Sequence, residues 1–500
     1  MKKTKITELS KYVSTLSPSD QVVIRQLFLD LKSKICMSKA QTHLLVGDFE
    51  VGLMYLLKNG VGPKDAVTRL SADKLGTFYK DEMTVWYPAD DGAKIYPLTI
   101  KRNWMQMFHL SMYLNDDIEP CILQLAMDFT IKRFPFFATT VKKGFFWHYL
   151  DGTKQRYPVL KEDTIPCSSI NVSAYGTPPF RIMYYKNRVS LEGFHVVTDG
   201  TGATAFLMTL MAEYIRIKHG ADIPCTEHVR DISQPAPEEE ARDDFHLAEK
   251  DDSGAKAGFS DKSALQLRGK MSHIRPHQVI HFELEADKVH ALAKSLGATV
   301  NTLMLALLIL ASKESSDGDG RMHFQVPVNM RKFYNTATLR NFSMFCVLRF
   351  KRSEIPEFGE LLKSITSQLA EVGSREALNR TLLHTKRLVH SLRYIPLYLK
   401  WPIAKLIFGS IGDRVFSNTL SNLGVLKVPA QMAPYVQKMD AVLGATIANR
   451  VTCTMVTCNN VATFTVTKMT DDDSFENAML RLLEQKGLTV KLNGSEKYGN

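Results

Sequence analysis

The stretch RVSLEGFHVVTDGTGATAFLMTLMAEYIRIK, residues 188–218, carries the pattern on which the fold turns. RVSLEGF (188–194) alternates like a strand, and TPPFRIMYY (177–185) does the same before a Lys186-Asn187 turn. GATAFLMTLMAEYIRIK (202–218) has the length and apolar spacing of a helix. The order strand, turn, strand, short loop, helix puts FHVVTDGTG, Phe194–Gly202, at a strand-to-helix junction.

That junction places His195, Asp199 and Gly200 in an HxxxDG arrangement. An imidazole with an ordinary pKa of about 6.5 can take and return a proton at neutral pH. Asp199 suits a different task, fixing the loop through an ion pair or backbone hydrogens. Gly200 is expected to adopt a backbone conformation closed to other residues and to leave room for a ligand. The string alone is a weak motif, and a lone histidine is more often structural than catalytic.

Outward from the junction, residues 1–84 read as a helical N-terminal appendage, with Ser17-Pro18-Ser19-Asp20 opening one helix. Residues 85–225 form a first lobe that includes a helix over 118–133. Residues 226–264 are polar, acidic and without periodicity, which predicts a linker. The second lobe, 265–500, opens with the strand QVIHFELE (278–285), followed by two helices. Strands are expected at 322–330, 342–350, about 415–428, 440–457 and 461–468, with helices over 357–411 and 474–486.

Composition narrows the function. The chain has 500 residues, 45% hydrophobic and 23% charged, as in a globular enzyme of two domains. The net charge of +11 is spread without a block of like charge, and no zinc-finger or RNA-recognition spacing occurs, so nucleic acid is not an expected partner. A diffuse positive field suits a ligand with several phosphates. The seven cysteines are widely spaced, which fits a reducing compartment rather than a disulfide framework or a zinc site. The basic start lacks an apolar signal core, and the longest apolar run, Leu303–Ala311, is too short to span a bilayer. The expected location is cytoplasmic. RLVHSLRYIPLYLKWPIAKLIF (387–408) mixes basic and bulky apolar residues. It can rest on a membrane, although packing between lobes is the commoner fate of such a segment.

The HxxxDG segment resembles the active-site motif of the chloramphenicol acetyltransferase-like superfamily, and most of all its bacterial alcohol acetyltransferase-like members. Three further pieces agree in order over residues 85–490: WYPADDGAKIYPLT (86–99) resembles the opening segment, VPVNMRKF (326–333) the P-x-N-x-R strand end, and TLSNLGVLKVP (419–429) the SNLG strand. The resemblance implies an α/β fold of two similar lobes with mixed sheets and flanking helices. It also implies a tunnel between them that admits acyl-CoA from one face and an acceptor from the other.

By the same resemblance His195 is the general base, and Asp199 makes a structural ion pair for which Arg331 is the candidate partner. A solvent-facing Arg331 is the alternative. Asn329, Ser421 and Asn422 are candidate donors to a tetrahedral oxyanion, or, for the two asparagines, caps of strand ends. The implied activity moves an acyl group, acetyl or short-chain, from acyl-CoA to the hydroxyl of a small alcohol, or to an amine. It needs no metal and no tightly bound cofactor. The alternatives are a condensation-domain-like enzyme fed by an acyl carrier protein, a surface-bound lipid acyltransferase, and an inactive relative that serves as a binding protein. Phe194 stands where condensation domains and wax ester synthases often carry a second histidine, and the DFGWG motif of several relatives is missing.

Overall fold

The computed structural model describes residues 8–81, 85–100, 104–250, 263–410, 412–444, 446 and 448–498. Four helices come first: α1 (Glu8–Val13), α2 (Pro18–Ser33), α3 (Lys39–Lys58) and α4 (Pro63–Arg69). Ser17 and Ser38 cap α2 and α3 by accepting backbone N–H groups that the first helical turn leaves free. The first lobe continues with β1 (Trp86–Pro88), α5 (Tyr96–Thr99), β2 (Met107–Leu114), α6 (Pro120–Thr130), β3 (Thr139–Lys143), β4 (His148–Gly152), β5 (Val159–Lys161), β6 (Phe180–Tyr185), β7 (Arg188–Phe194) and α7 (Gly200–His219).

After a strap that crosses between lobes come β8 (Gln278–Glu285), α8 (Ala286–Ser295), α9 (Val300–Glu314), β9 (Arg321–Asn329) and β10 (Ser343–Lys351). Then follow α10 (Phe358–Val372), α11 (Arg375–Ser391), α12 (Leu397–Ser410), β11 (Asn418–Val425), β12 (Val436–Leu443), β13 (Val451–Cys458), β14 (Val461–Lys468), α13 (Ser474–Gln485) and β15 (Lys491–Gly494). The first lobe holds a five-stranded sheet in the order β12-β2-β7-β6-β5, and the second a seven-stranded sheet in the order β10-β9-β11-β13-β14-β8-β15. A small sheet β1-β4-β3 flanks the first lobe.

The segment expected as strand over 440–457 is two strands in different sheets. β12 leaves the second lobe and pairs antiparallel with β2, with Leu443 opposite Phe108, whereas β13 runs between β11 and β14. Alternation along β13 divides its side chains: Cys453 and Met455 enter the second core, and Val456 and Cys458 the first. One strand pairing and one strand's far face therefore lock the lobes together.

The N-terminal helices share the first lobe's core. Phe49 of α3 is fully buried and meets Phe129 of α6 edge-on at 5.7 Å between ring centroids. A Cβ on Gly52 would lie 2.1 Å from Leu125 Cδ1, so the two helices approach at glycine distance.

Residues 226–250 are more than a solvated linker. Glu240, Asp244 and Phe245 are buried, and the Glu240 carboxylate takes both arms of the Arg133 guanidinium at 2.5 and 3.0 Å. The 251–262 part of the expected linker lies outside the described residues. The 387–408 segment differs as well. It packs between lobes in part, through Lys400 on the Phe146 carbonyl and α12 on α5, but Tyr394, Tyr398 and Trp401 face outward.

Truncating Phe49 to alanine is expected to cost about 3–5 kcal/mol, the usual loss for a fully buried aromatic. Urea denaturation followed by circular dichroism checks it. A helical unit independent of the lobe would leave the main transition where it was.

Candidate active site

His195 sits where β7 ends, and its backbone is held from both lobes. Its N–H donates to the Gln106 carbonyl at 2.9 Å, and its carbonyl accepts from Asn341 Nδ2 at 2.7 Å. The ring lies against Phe108 and Tyr96, with centroids 4.9 and 5.7 Å away, and the residue keeps partial exposure. Nδ1 is buried and meets no partner at full hydrogen-bond geometry. Burial pushes the imidazole below its ordinary range. The Asp199 carboxylate and contacts from Thr198 and Asn341 oppose that shift without cancelling it. The ring is accordingly neutral at pH 7.

Asp199 is buried and caps α7 by accepting from Thr201 N at 3.1 Å. Its other oxygen accepts from Arg331 Nη1, Phe342 N and Ser343 Oγ, each at 2.9 Å. Burial alone would raise this carboxyl, but the Arg331 guanidinium, with Phe342 N and Ser343 Oγ, holds it below the ordinary carboxylate value. Arg331 spends its remaining donors on the Thr338 carbonyl at 2.7 Å, the Arg340 carbonyl at 2.5 Å and Asn329 Oδ1 at 3.1 Å. The solvent-facing alternative for Arg331 is not what the structure has.

Gly200 needs a different reason from the expected one. Its φ is not in the left-handed region; a Cβ there would come within 2.7 Å of Leu423 Cδ2, so the end of that side chain would have to shift. Gly202 is tighter still: a Cβ would lie 2.0 Å from the Leu339 carbonyl oxygen and 2.1 Å from Thr198 Oγ1. The start of α7 thus presses on β11 and on the segment before β10.

The candidate donors separate. Asn329 is occupied, donating to Thr201 Oγ1 at 3.2 Å and accepting from Arg331 N at 3.1 Å. Asn422 is turned to the far face of β11, donating to Asn301 at 3.2 Å and accepting from Gly424 N at 2.8 Å. There it lines a cavity of about 410 Å³ with Val289, Val300 and Met455, on the second-lobe side of the sheet. Ser421 points the opposite way. It pairs in register with Thr454, whose hydroxyl bonds the Ala441 carbonyl on β12 of the first lobe.

Sequence reasoning missed Asn341. Its amide group bridges His195 O and Asp90 Oδ2, the latter at 3.0 Å, while its backbone N–H donates to the same Asp90 oxygen at 3.1 Å. Asp90 in turn lies 2.8 Å from Arg340, and both side chains are enclosed. Asp90 falls within the quoted WYPADDG stretch, but nothing in the spacing of two segments some 250 residues apart announces the pair.

No family model matches the chain, and no curated protein matches it. Solved structures do. A trichothecene 15-O-acetyltransferase from Fusarium sporotrichioides superposes with a TM-score of 0.53 at 12% identity, over 80% of this chain and 94% of its own. The first condensation domain of the calcium-dependent antibiotic synthetase gives 0.53 at 11% identity, over 80% and 96%. The condensation domain of the monacolin K polyketide synthase MokA gives 0.50 at 13%, over 81% and 97%. The chain shares the two-lobed fold of these acetyltransferase and condensation-domain structures.

Substituting Asp199 by alanine leaves Arg331 buried without its counter-charge. We expect a loss of about 3–5 kcal/mol in unfolding free energy by urea denaturation, with Asp199→Asn losing less.

Proposed function

We propose that this protein transfers an acyl group from acyl-CoA to an acceptor hydroxyl, with His195 as general base. The observation that carries the reading is a neutral imidazole fixed at the junction of two lobes, its backbone tied to Asn341 and its loop to Asp199 and Arg331. The buried Nδ1 leaves Nε2 as the nitrogen to meet a substrate. Nε2 removes the acceptor's proton as its oxygen attacks the thioester carbonyl. The C–O bond forms, the tetrahedral oxyanion collapses, the C–S bond breaks, and the departing thiolate recovers the proton from the imidazolium. One base serves both halves, with no acyl-enzyme, no metal and no tightly bound cofactor. Asp199 remains an ionised anchor throughout. The net charge of +11 suits the phosphates of the donor.

Replacing His195 by alanine is expected to cut turnover by about a hundredfold or more. Thiol release from a panel of acyl-CoAs against alcohols and amines measures it. The depressed imidazole pKa fixes the sign of the pH profile: protonation removes the base, so kcat/KM falls on the acid side, with its midpoint below the ordinary histidine value. Unchanged turnover in His195→Ala would reject the assignment. The same assay run with an acyl carrier protein as donor separates the condensation-like reading, which the two condensation domains of the same fold keep in view.

Among the three candidate oxyanion donors, Ser421 is the one that faces the first lobe and carries no competing bond among the described residues. Ser421→Ala should lower kcat by about a hundredfold with little change in KM, whereas Asn422→Ala should leave kcat within about threefold.

A further inference from the structure

We infer that the face formed by the β3–β4 turn and the α11–α12 turn docks on an anionic lipid surface. The β3–β4 turn, Gly144–Trp147, projects from the first lobe and the α11–α12 turn from the second, and the two meet. Leu397 N donates to the Phe145 carbonyl at 2.9 Å, and Phe146 lies 6.4 Å from the Tyr394 ring. Lys400 pins the join. It is buried, donates to the Phe146 carbonyl at 2.8 Å and sits 3.4 Å over the Trp147 ring. Burial lowers its pKa to about 8, with Lys94 adding to the shift, so Lys400 serves the fold rather than the partner.

What the join presents outward is apolar and aromatic. Phe145 is 69% exposed, Tyr394 72% and Tyr398 71%, with Leu388, Leu399 and Trp401 about half exposed beside them. Scattered exposed apolar residues are ordinary, but a contiguous set on two elements marks a docking surface.

The charge says what docks. From Ala377 to Gly412 the chain has no Asp or Glu and, besides the buried Lys400, five Lys or Arg, and Lys142 and Lys143 flank the other turn. A second copy of the same face would set these positive charges against each other. Aromatic rings and leucines with Arg393 stacked on Tyr394 and the exposed Arg387 next to Leu388 match the boundary between headgroups and acyl chains of an anionic bilayer. No single helix among the described residues is long and apolar enough to cross a membrane.

Sedimentation with vesicles tests this without any substrate. The full chain is expected to pellet with vesicles of phosphatidylcholine mixed with phosphatidylglycerol and to stay in solution with phosphatidylcholine alone. The pair Phe145→Ser with Tyr394→Ser should weaken partitioning by about tenfold, and the pair Arg387→Glu with Arg393→Glu by at least as much, the latter also losing its salt dependence. Circular dichroism confirms that each variant is folded. His195→Ala should bind like the unaltered protein, so docking and acyl transfer stand or fall separately. The inference is overturned if the unaltered chain stays in the supernatant, or if both double variants pellet as it does. It is equally overturned if sedimentation velocity shows a dimer, or a complex with an acidic protein, that occupies this face and that Phe145→Ser with Tyr394→Ser dissolves.

Discussion

A carboxylate taken out of water must be repaid with donors, and in this protein the repayment for Asp199 comes from both lobes. Thr201 N is local, but Arg331, Phe342 N and Ser343 Oγ all belong to the second lobe. Arg331 is committed in turn to carbonyls at Thr338 and Arg340. The loop Phe194–Gly202 therefore cannot shift without stripping several buried charge-assisted bonds at once. Asn341, next to Phe342 in the chain, adds a second tie, running from the His195 carbonyl to Asp90. The position of one imidazole is set by this network together with the packing of its ring on Phe108 and Tyr96.

The same logic runs along the rest of the interface, which is polar where a single-domain core would be apolar. Glu192 on β7 accepts from His109 at 2.9 Å and from Arg181 Nε at 2.7 Å. Burial disfavours the His109 cation, but the Glu192 carboxylate more than offsets this and raises its pKa. Lys438 on β12 pairs with Glu283 on β8, and Asp440 lies 3.6 Å from His281 on the same strand. Threonines on β13 and β14 fill much of the remaining face. A sheet face of this kind gains little from burial and much from register, because each charge is tolerable only opposite its partner. The crossing of β12 into the first lobe's sheet supplies that register.

This division explains what could be read from the chain. Elements whose periodicity is set by one core were legible: Gln278–Glu285 and Val461–Lys468 are strands at the expected residues, and α7 starts within two residues of its expected position. The break within 440–457 was not, because β12 and β13 are both apolar and alternating, and nothing local says that they serve different sheets. Arg331 followed from a resemblance in order along the chain. Asn341, Asp90 and Gly202 did not, since each owes its importance to a backbone group brought near by the fold. Gly200 was singled out for a backbone freedom it does not use. The residues 226–250 were polar enough to look like a linker because their carboxylates are buried against Arg133 and Thr336 rather than against water.

The outward face and the histidine are joined by a short path. α12 packs on α5, and Tyr96 of α5 touches the His195 ring. Burial pushes the Tyr96 phenol up to about 12, with Asp199 and Asp90 adding to the effect, so it remains a neutral hydroxyl next to the base. Movement of α12 against a surface would reach the imidazole through a single intervening helix only four residues long. On the proposed docking, an acceptor or donor with an apolar tail would meet the base without its chain crossing open water, whose avoidance is worth about 0.8 kcal/mol per methylene.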